Sequence, residues 1–427
     1  MSAPTTFQEL LDDEVLDIGD GYRAKNSELT GGGEIFLRAG HVTDTHIDFE
    51  GVERFDPALS EKVESKMSEV GDTIITTKGN STGRTSFVTS DMPRFVYSPH
   101  LCYWRSTDPE RIENGFLRYW ARGKEFQHQL AALKASTDMA PYLSLKDQKR
   151  LKITLPPIEE QRAIASILGA LDDKIELNRR MNATLESLAR AIFKSWFVDF
   201  DPVHVNAGKI NAGQMPASSA IPTTHDPKVL DLFPSTFQDS ELGPIPEGWG
   251  STTLGDEVDF QTGNAFKSKS FTNEPPGTRL ARGMNVKEGV FFWGNQTRYW
   301  PEVTEDIEPY LLRAGDVLIG MDGSKVGKNW VRVREVDLPC LLVQRVARLR
   351  AADSVGENFL WIFCGSETFR RYVDSVKTGT SIPHISGGQI KSLSFVRPPK
   401  GDDRVFHEFE NIVSAFASQQ SARQECK

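Results

Sequence analysis

A chain of 427 residues, 38% of them hydrophobic and 26% charged, with a formal net charge of −9, has the composition of an ordinary globular protein. Its length predicts about two to four domains, and the composition argues against wholesale disorder. No apolar run approaches the roughly 18 residues that signal a bilayer span, and the N-terminal MSAPTTFQELLDDEV is acidic where a secretory signal is basic and then apolar, so a cytoplasmic chain without a membrane is expected. Cys102, Cys340, Cys364 and Cys426 lie far apart with no C-x-x-C pair, which indicates neither a disulfide frame nor a zinc cluster.

Charge is segregated along the chain. Residues 1–72 hold 17 acids and 6 bases, residues 73–150 hold 7 acids and 12 bases, and residues 317–352 hold 3 acids and 7 bases. Each half of an acidic chain therefore carries a basic segment suited to facing phosphates.

Landmarks in the first half recur in the second. DDEV at Asp12–Val15 returns as GDEV at Gly255–Val258, and GDGYRAKNS from Gly19 as TGNAFKSKS from Thr262. EVGDTIITTKGNSTGRTSFV from Glu69 matches RAGDVLIGMDGSKVGKNWVRV from Arg313, each a Gly-Asp turn, an apolar strand, a glycine-punctuated basic loop and a returning strand. Helical patterns from Gly115 and Asn358 follow, then APYLS at Ala140 against IPHIS at Ile382, and KITLPPIEEQ at Lys152 against SFVRPPKGDD at Ser394. Offsets of 242–244 residues throughout identify an internal duplication.

Between the copies, Pro156 and Pro157 end one element and open another. From Glu159 to Phe197 there is no proline and one glycine, Gly169, which predicts a helix of roughly 58 Å. Its apolar positions, Ile164, Leu168, Leu171, Ile175, then Met181, Leu185, Leu188, Ile192 and Trp196, run in steps of four and three like a coiled-coil seam, with a register defect expected near Asn178. The segment after the second Pro-Pro predicts a shorter helix with an apolar face of Phe406, Phe409, Ile412, Val413 and Phe416, able to pair with part of the long one. Residues 206–220 have loop composition, and LGPIPEGW at 242–249 is a proline-stiffened lead into the second copy.

No catalytic set emerges. The loops at Gly79 and Gly323 lack Walker A spacing, and no Asn-Pro-Pro-aromatic motif of an amino-methyltransferase is present. Asp56 with Glu64 and Lys66 resembles a D…E-x-K nuclease set, so a stand-alone magnesium-dependent nuclease is one alternative; a coiled-coil scaffold without DNA affinity is another. The duplication suits a different use, because two copies on a long spacer can read two segments of one DNA duplex. The candidate contacts are Arg23, Lys25, Lys78, Asn80, Ser81, Arg84 and Thr85 in the first copy, and Lys267, Lys269, Lys325, Lys328, Asn329 and Arg332 in the second.

At LPPIEEQRAIASILGALDDKIELNRRMNATLESLARAIFKSWFVDFDPV and DSELGPIPEGWGSTTLGDEV the chain resembles the specificity (S) subunit of type I restriction-modification systems. The resemblance implies a mixed α/β fold of two tandem target-recognition domains joined by long antiparallel coiled-coil helices. The corresponding segments are 1–157 for the first domain, 158–200 for the long helix, 201–245 for a linker, 246–399 for the second domain and 400–427 for the last helix. It also implies a non-catalytic subunit that binds double-stranded DNA and docks two methyltransferase (M) subunits, which bring S-adenosylmethionine, and restriction (R) subunits, which bring ATP and Mg²⁺; the chain itself holds no cofactor or metal. Docking is assigned to Glu160, Arg162, Asp173, Asn178, Arg180, Trp196 and Phe197 on the long helix. Relatives continue the last helix beyond the length seen here, so a shortened helix and partial pairing are expected.

Overall fold

The computed structural model describes residues 3–43, 46–135, 141–208, 226–379 and 383–424, and the chain divides into two compact units at Leu177–Asn178, inside the long helix. In the first unit the alternating apolar stretches form β1 (Leu16–Asp20), β2 (Ile35–Leu37), β3 (Glu53–Arg54), β4 (Thr73–Thr76), β5 (Thr85–Phe87), β6 (Phe95–Tyr97) and β7 (Leu101–Ser106). One antiparallel sheet runs β1-β7-β4-β5, and a second runs β3-β2-β6, with β2 antiparallel to β3 and parallel to β6. Helices Asn114–Trp120 and Lys124–Ala135 bury Phe116, Leu117, Trp120, Phe126 and Leu130. Their rings meet the sheet through Trp104, which packs edge-on against Phe126 at 5.3 Å and donates its indole N–H to buried Gln148 at 2.7 Å.

The second unit repeats this plan. Strands β8 (Val258–Thr262), β9 (Thr278–Ala281), β10 (Tyr299–Trp300), β11 (Val317–Gly320), β12 (Trp330–Arg332), β13 (Cys340–Leu342) and β14 (Val346–Ala351) form an antiparallel sheet β8-β14-β11-β12 and a mixed sheet β10-β9-β13. As in the first unit, the second sheet has one antiparallel and one parallel pairing. The Gly-Asp turn before β4 and before β11 does the same work twice. Asp72 accepts from the Glu69 amide at 2.8 Å and from Arg105 at 2.6 and 2.8 Å; Asp316 accepts from the Arg313 amide at 2.8 Å and from Arg350 at 2.7 and 2.9 Å. Both carboxylates are buried, so each depends on its arginine and amide to offset desolvation.

The long helix is continuous over Ile158–Phe197, without a break where the register defect was expected. Its first turns belong to the first unit. Buried Gln161 donates to the carbonyls of Arg111 and Pro156 at 3.0 and 2.9 Å and accepts from the Glu113 amide, while Asp172 accepts from Tyr119 at 3.1 Å and pairs with Arg118 and Arg122. Its last turns belong to the second unit, where Ala189, Ile192, Phe193, Trp196 and Phe197 enter the core. The last helix, Arg404–Gln424, runs antiparallel to them: Phe406 stacks on Phe197 at 5.4 Å and Phe409 meets Phe193 at 6.3 Å. The expected seam is only partly buried: Leu171 and Leu188 are 53% and 38% exposed, while Ile192 and Trp196 are buried in the second core.

The stretch expected as a linker contributes to the second core instead. Val203, Val229 and Phe233 are buried with Phe200 and Trp249, and Phe237–Gln238 pairs with Ile245–Pro246; residues 209–225 lie outside the described residues. Cys102, Cys340 and Cys364 are buried free thiols, and burial pushes Cys102 up to about 11 and Cys340 up to about 12; Cys426 lies outside the described residues.

Candidate nucleic-acid interface

Four segments distant in sequence converge at one end of the sheets in each unit. In the first, the Thr77 amide donates to the His100 carbonyl at 2.9 Å, Leu143 to Thr77 at 2.8 Å and Gly79 to Pro141 at 3.0 Å. The second repeats these bonds: Met321 to Arg345 at 2.9 Å, Ile385 to Met321 at 2.9 Å and Gly323 to Pro383 at 3.0 Å. The fourth segment joins by the same rule, the Tyr22 amide donating to the Tyr97 carbonyl at 2.7 Å and the Asn264 amide to the Leu342 carbonyl at 3.2 Å. At this junction both copies place a glycine where the backbones nearly touch. A Cβ on Gly21 would lie 2.1 Å from the Ser98 carbonyl oxygen, and one on Gly263 would lie 2.1 Å from that of Val343. Gly21→Ala and Gly263→Ala are each expected to cost about 1–3 kcal/mol, because backbone must move to admit the methyl; a thermal shift within error of zero in both would contradict the junction.

This convergence brings together most of the cations expected from the sequence. Arg23, Lys25, Lys78 and Asn80 are exposed and Ser81 is half-buried; in the second unit Lys267, Lys269, Lys325 and Lys328 are exposed and Asn329 is half-buried. Three candidates are reassigned. Thr85 is only 7% exposed within β5. The half-buried Arg84 donates to the Val42 carbonyl at 3.0 Å, which spends part of its guanidinium on the fold. Arg332 pairs with Glu357 at 2.9 Å, donates to Asn358 at 2.8 Å and stacks over Trp361, so it is a packing residue. Beside the first loop, a cleft of about 340 Å³ is lined by Asn80, Ser81, Arg84, Arg122, Gln127 and Lys134 among others. Burial, then the neighbouring Arg118 charge, lowers the Arg122 pKa.

Residues that no loop motif signalled also stand at these ends. Tyr142 is 55% exposed and His100 is exposed in the first unit. In the second, exposed Gln344 and Arg345 lie beside Asp322 and His384. His100 and Arg345 stand in the turns after β6 and β13, and Tyr142 and His384 in the segments that bridge back to Lys78 and Asp322; neither register is visible in composition.

The nuclease set does not assemble. Asp56 caps the turn at Pro57 and accepts from the Ala58 amide at 2.9 Å, Glu64 pairs with Arg94 at 2.9 Å, and Lys66 donates to Asp20 at 2.9 Å. Among the described residues no group of three or more His, Cys, Asp or Glu is placed to hold a metal, and no helix is long and apolar enough to cross a membrane.

The family model for the type I restriction modification DNA specificity domain matches residues 8–187, from the first unit's opening helix into the long helix. Over residues 8–187, about two-fifths of its length, the chain is similar to that specificity domain. It is 34% identical over 175 residues to the type I restriction enzyme EcoAI specificity subunit of Escherichia coli, covering 40% of this chain and 29% of that protein. To the HindI specificity subunit of Haemophilus influenzae it is 21% identical over 414 residues, covering 90% and 88%. Among relatives of higher identity the matched share is smaller, 56% of the MjaVIII specificity subunit of Methanocaldococcus jannaschii. The fold is that of the crystal structure of a type I restriction-modification S subunit from M. genitalium, with a TM-score of 0.51 at 14% identity over 100% of this chain and 94% of that one.

On the long helix, the docking candidates divide. Glu160, Asp173 and Arg180 are exposed and Asn178 is half-buried, whereas Arg162 pairs with Glu159 and Glu110. Trp196 and Phe197 are 0% and 7% exposed and are corrected to core residues, because their rings fill the space between this helix and the last one. The exposed large apolar residues of this helix are Ile167, Leu171, Leu177 and Leu188.

Proposed function

We propose that this chain is the DNA sequence-specificity subunit of a type I restriction-modification complex, each unit reading one part of a bipartite target. The observation that carries the reading is the duplicated four-segment end: two equivalent frames present different side chains on the same backbone, as two readers of two sequences require. The specificity domain matched over residues 8–187 supports it. Catalysis then belongs to partners, with S-adenosylmethionine on two M subunits and ATP with Mg²⁺ on R subunits. Ile167 and Leu171, one turn apart on the long helix, with Glu160 on the same face, are the proposed M-docking surface.

Lys78 and Lys328 project from equivalent loops and are assigned to phosphates. Replacing either with alanine is expected to weaken DNA binding across all sequences and to reduce the salt slope of log K by about 1. Titration of a fluorescent duplex at several salt concentrations measures both quantities. Unchanged affinity and slope in both variants would contradict this loop assignment.

A further inference from the structure

The two frames differ in charge at three equivalent positions. Where the first unit has Lys78, His100 and Tyr142, the second has Asp322, Arg345 and His384, at the same backbone bonds. The Arg345 guanidinium pairs with Asp322 at 2.9 Å while its side chain remains 70% exposed. The other oxygen of Asp322 is bound by His384 Nδ1, and the carboxylate itself is only 19% exposed. A carboxylate in a loop that also carries the exposed Lys325 and Lys328 opposes phosphate binding, and what it holds here is an arginine and a histidine.

The backbone gives a second, independent observation. Arg345 has a φ of +67°, in the left-handed region that long side chains avoid. The turn that requires this φ is closed by the Val346 amide on the Val343 carbonyl at 3.2 Å and held by the Met321 amide on the Arg345 carbonyl at 2.9 Å, and glycine would meet it without strain. Strain kept for an exposed, oriented guanidinium is what a reading residue shows, since an arginine fixed in direction makes two parallel bonds to O6 and N7 of guanine.

Resting on the DNA-specificity reading above, we propose that Arg345, oriented by Asp322 and through it by His384, reads a guanine edge in the part of the target taken by the second unit. Arg345 is the contact; Asp322 is a positioning residue.

The test uses the full chain co-purified with its co-expressed methyltransferase subunits, with competition binding to duplexes substituted one base pair at a time. Arg345→Gly removes the contact and relieves the backbone, so the melting temperature is expected to hold or rise. Discrimination at a single G·C pair in one half of the target is expected to fall roughly tenfold to a hundredfold. Arg345→Lys keeps the charge and is expected to lose the same discrimination. Asp322→Asn is expected to lose discrimination at that pair alone, while affinity for non-cognate duplexes holds or rises as a negative charge is removed; a purely structural carboxylate would not relax one base pair. If Arg345→Gly weakens all sequences equally, Arg345 contacts a phosphate and the proposal is overturned. If it leaves the preference intact, the proposal is overturned while the DNA-specificity reading stands. Absence of any sequence preference in the wild-type complex would overturn that reading itself.

Discussion

Replacing Asp72 with alanine is expected to destabilise the first unit by about 3–5 kcal/mol, the range found when one partner of a buried ion pair is removed. The carboxylate is fully buried and accepts from the Glu69 amide at 2.8 Å, from two nitrogens of Arg105 and from the Tyr97 hydroxyl at 2.6 Å. Burial, and then the Asp72 charge, push the Tyr97 pKa well above its ordinary value, so the phenol stays protonated and donates. Alanine would leave an arginine side chain 17% exposed and a buried hydroxyl without this acceptor. The duplication supplies an internal control. Asp316 binds Arg350 and the Arg313 amide in the same way, but Leu342 stands where the first unit has Tyr97. Asp316→Ala is therefore expected to cost about 1 kcal/mol less, for one hydrogen bond fewer. Urea unfolding of both variants measures the difference, and equal losses would contradict this account of the tyrosine.

Trp196→Ala is expected to cost about 3–5 kcal/mol, as for other large aromatic residues emptied from a core. The ring is 0% exposed and touches Phe233 and Phe409, joining the end of the long helix to the last helix and to the segment after it. Its indole N–H is buried without a hydrogen bond to any described residue, so much of its value is packing. Trp196→Phe, which removes that N–H and keeps a ring, is expected to cost well under half as much. Thermal unfolding separates the two, and a loss below about 1 kcal/mol in Trp196→Ala would place the residue outside the core.

The duplication was legible because its landmarks are backbone requirements. Gly71 and Gly315 have φ of +97° and +90°, and the paired prolines stand before both helices, so these residues recur where side chains around them do not. The long helix was legible from the absence of helix breakers. Side-chain direction was not. Thr85 and Arg332 stand close in sequence to loop residues that project outward, but a strand covered on both faces at Thr85 and Ser86 and a local ion pair at Arg332 turn them to the fold. Trp196 and Phe197 carry the composition of an interface and fill an internal one. Arg345 and His384 could not be found from motifs, because they meet Asp322 only through the register of a turn after β13 and a bridge from a segment about 60 residues further along.

The measurement that bears most directly on the central claim is co-expression with the cognate methyltransferase subunit and single-molecule sequencing of host DNA for methylated adenines, with and without this chain. The account predicts a split motif that appears only with the chain present, one part of which changes when residues 1–155 are exchanged for those of a relative. A soluble complex that yields no chain-dependent motif, or an exchange that alters both parts at once, would contradict it.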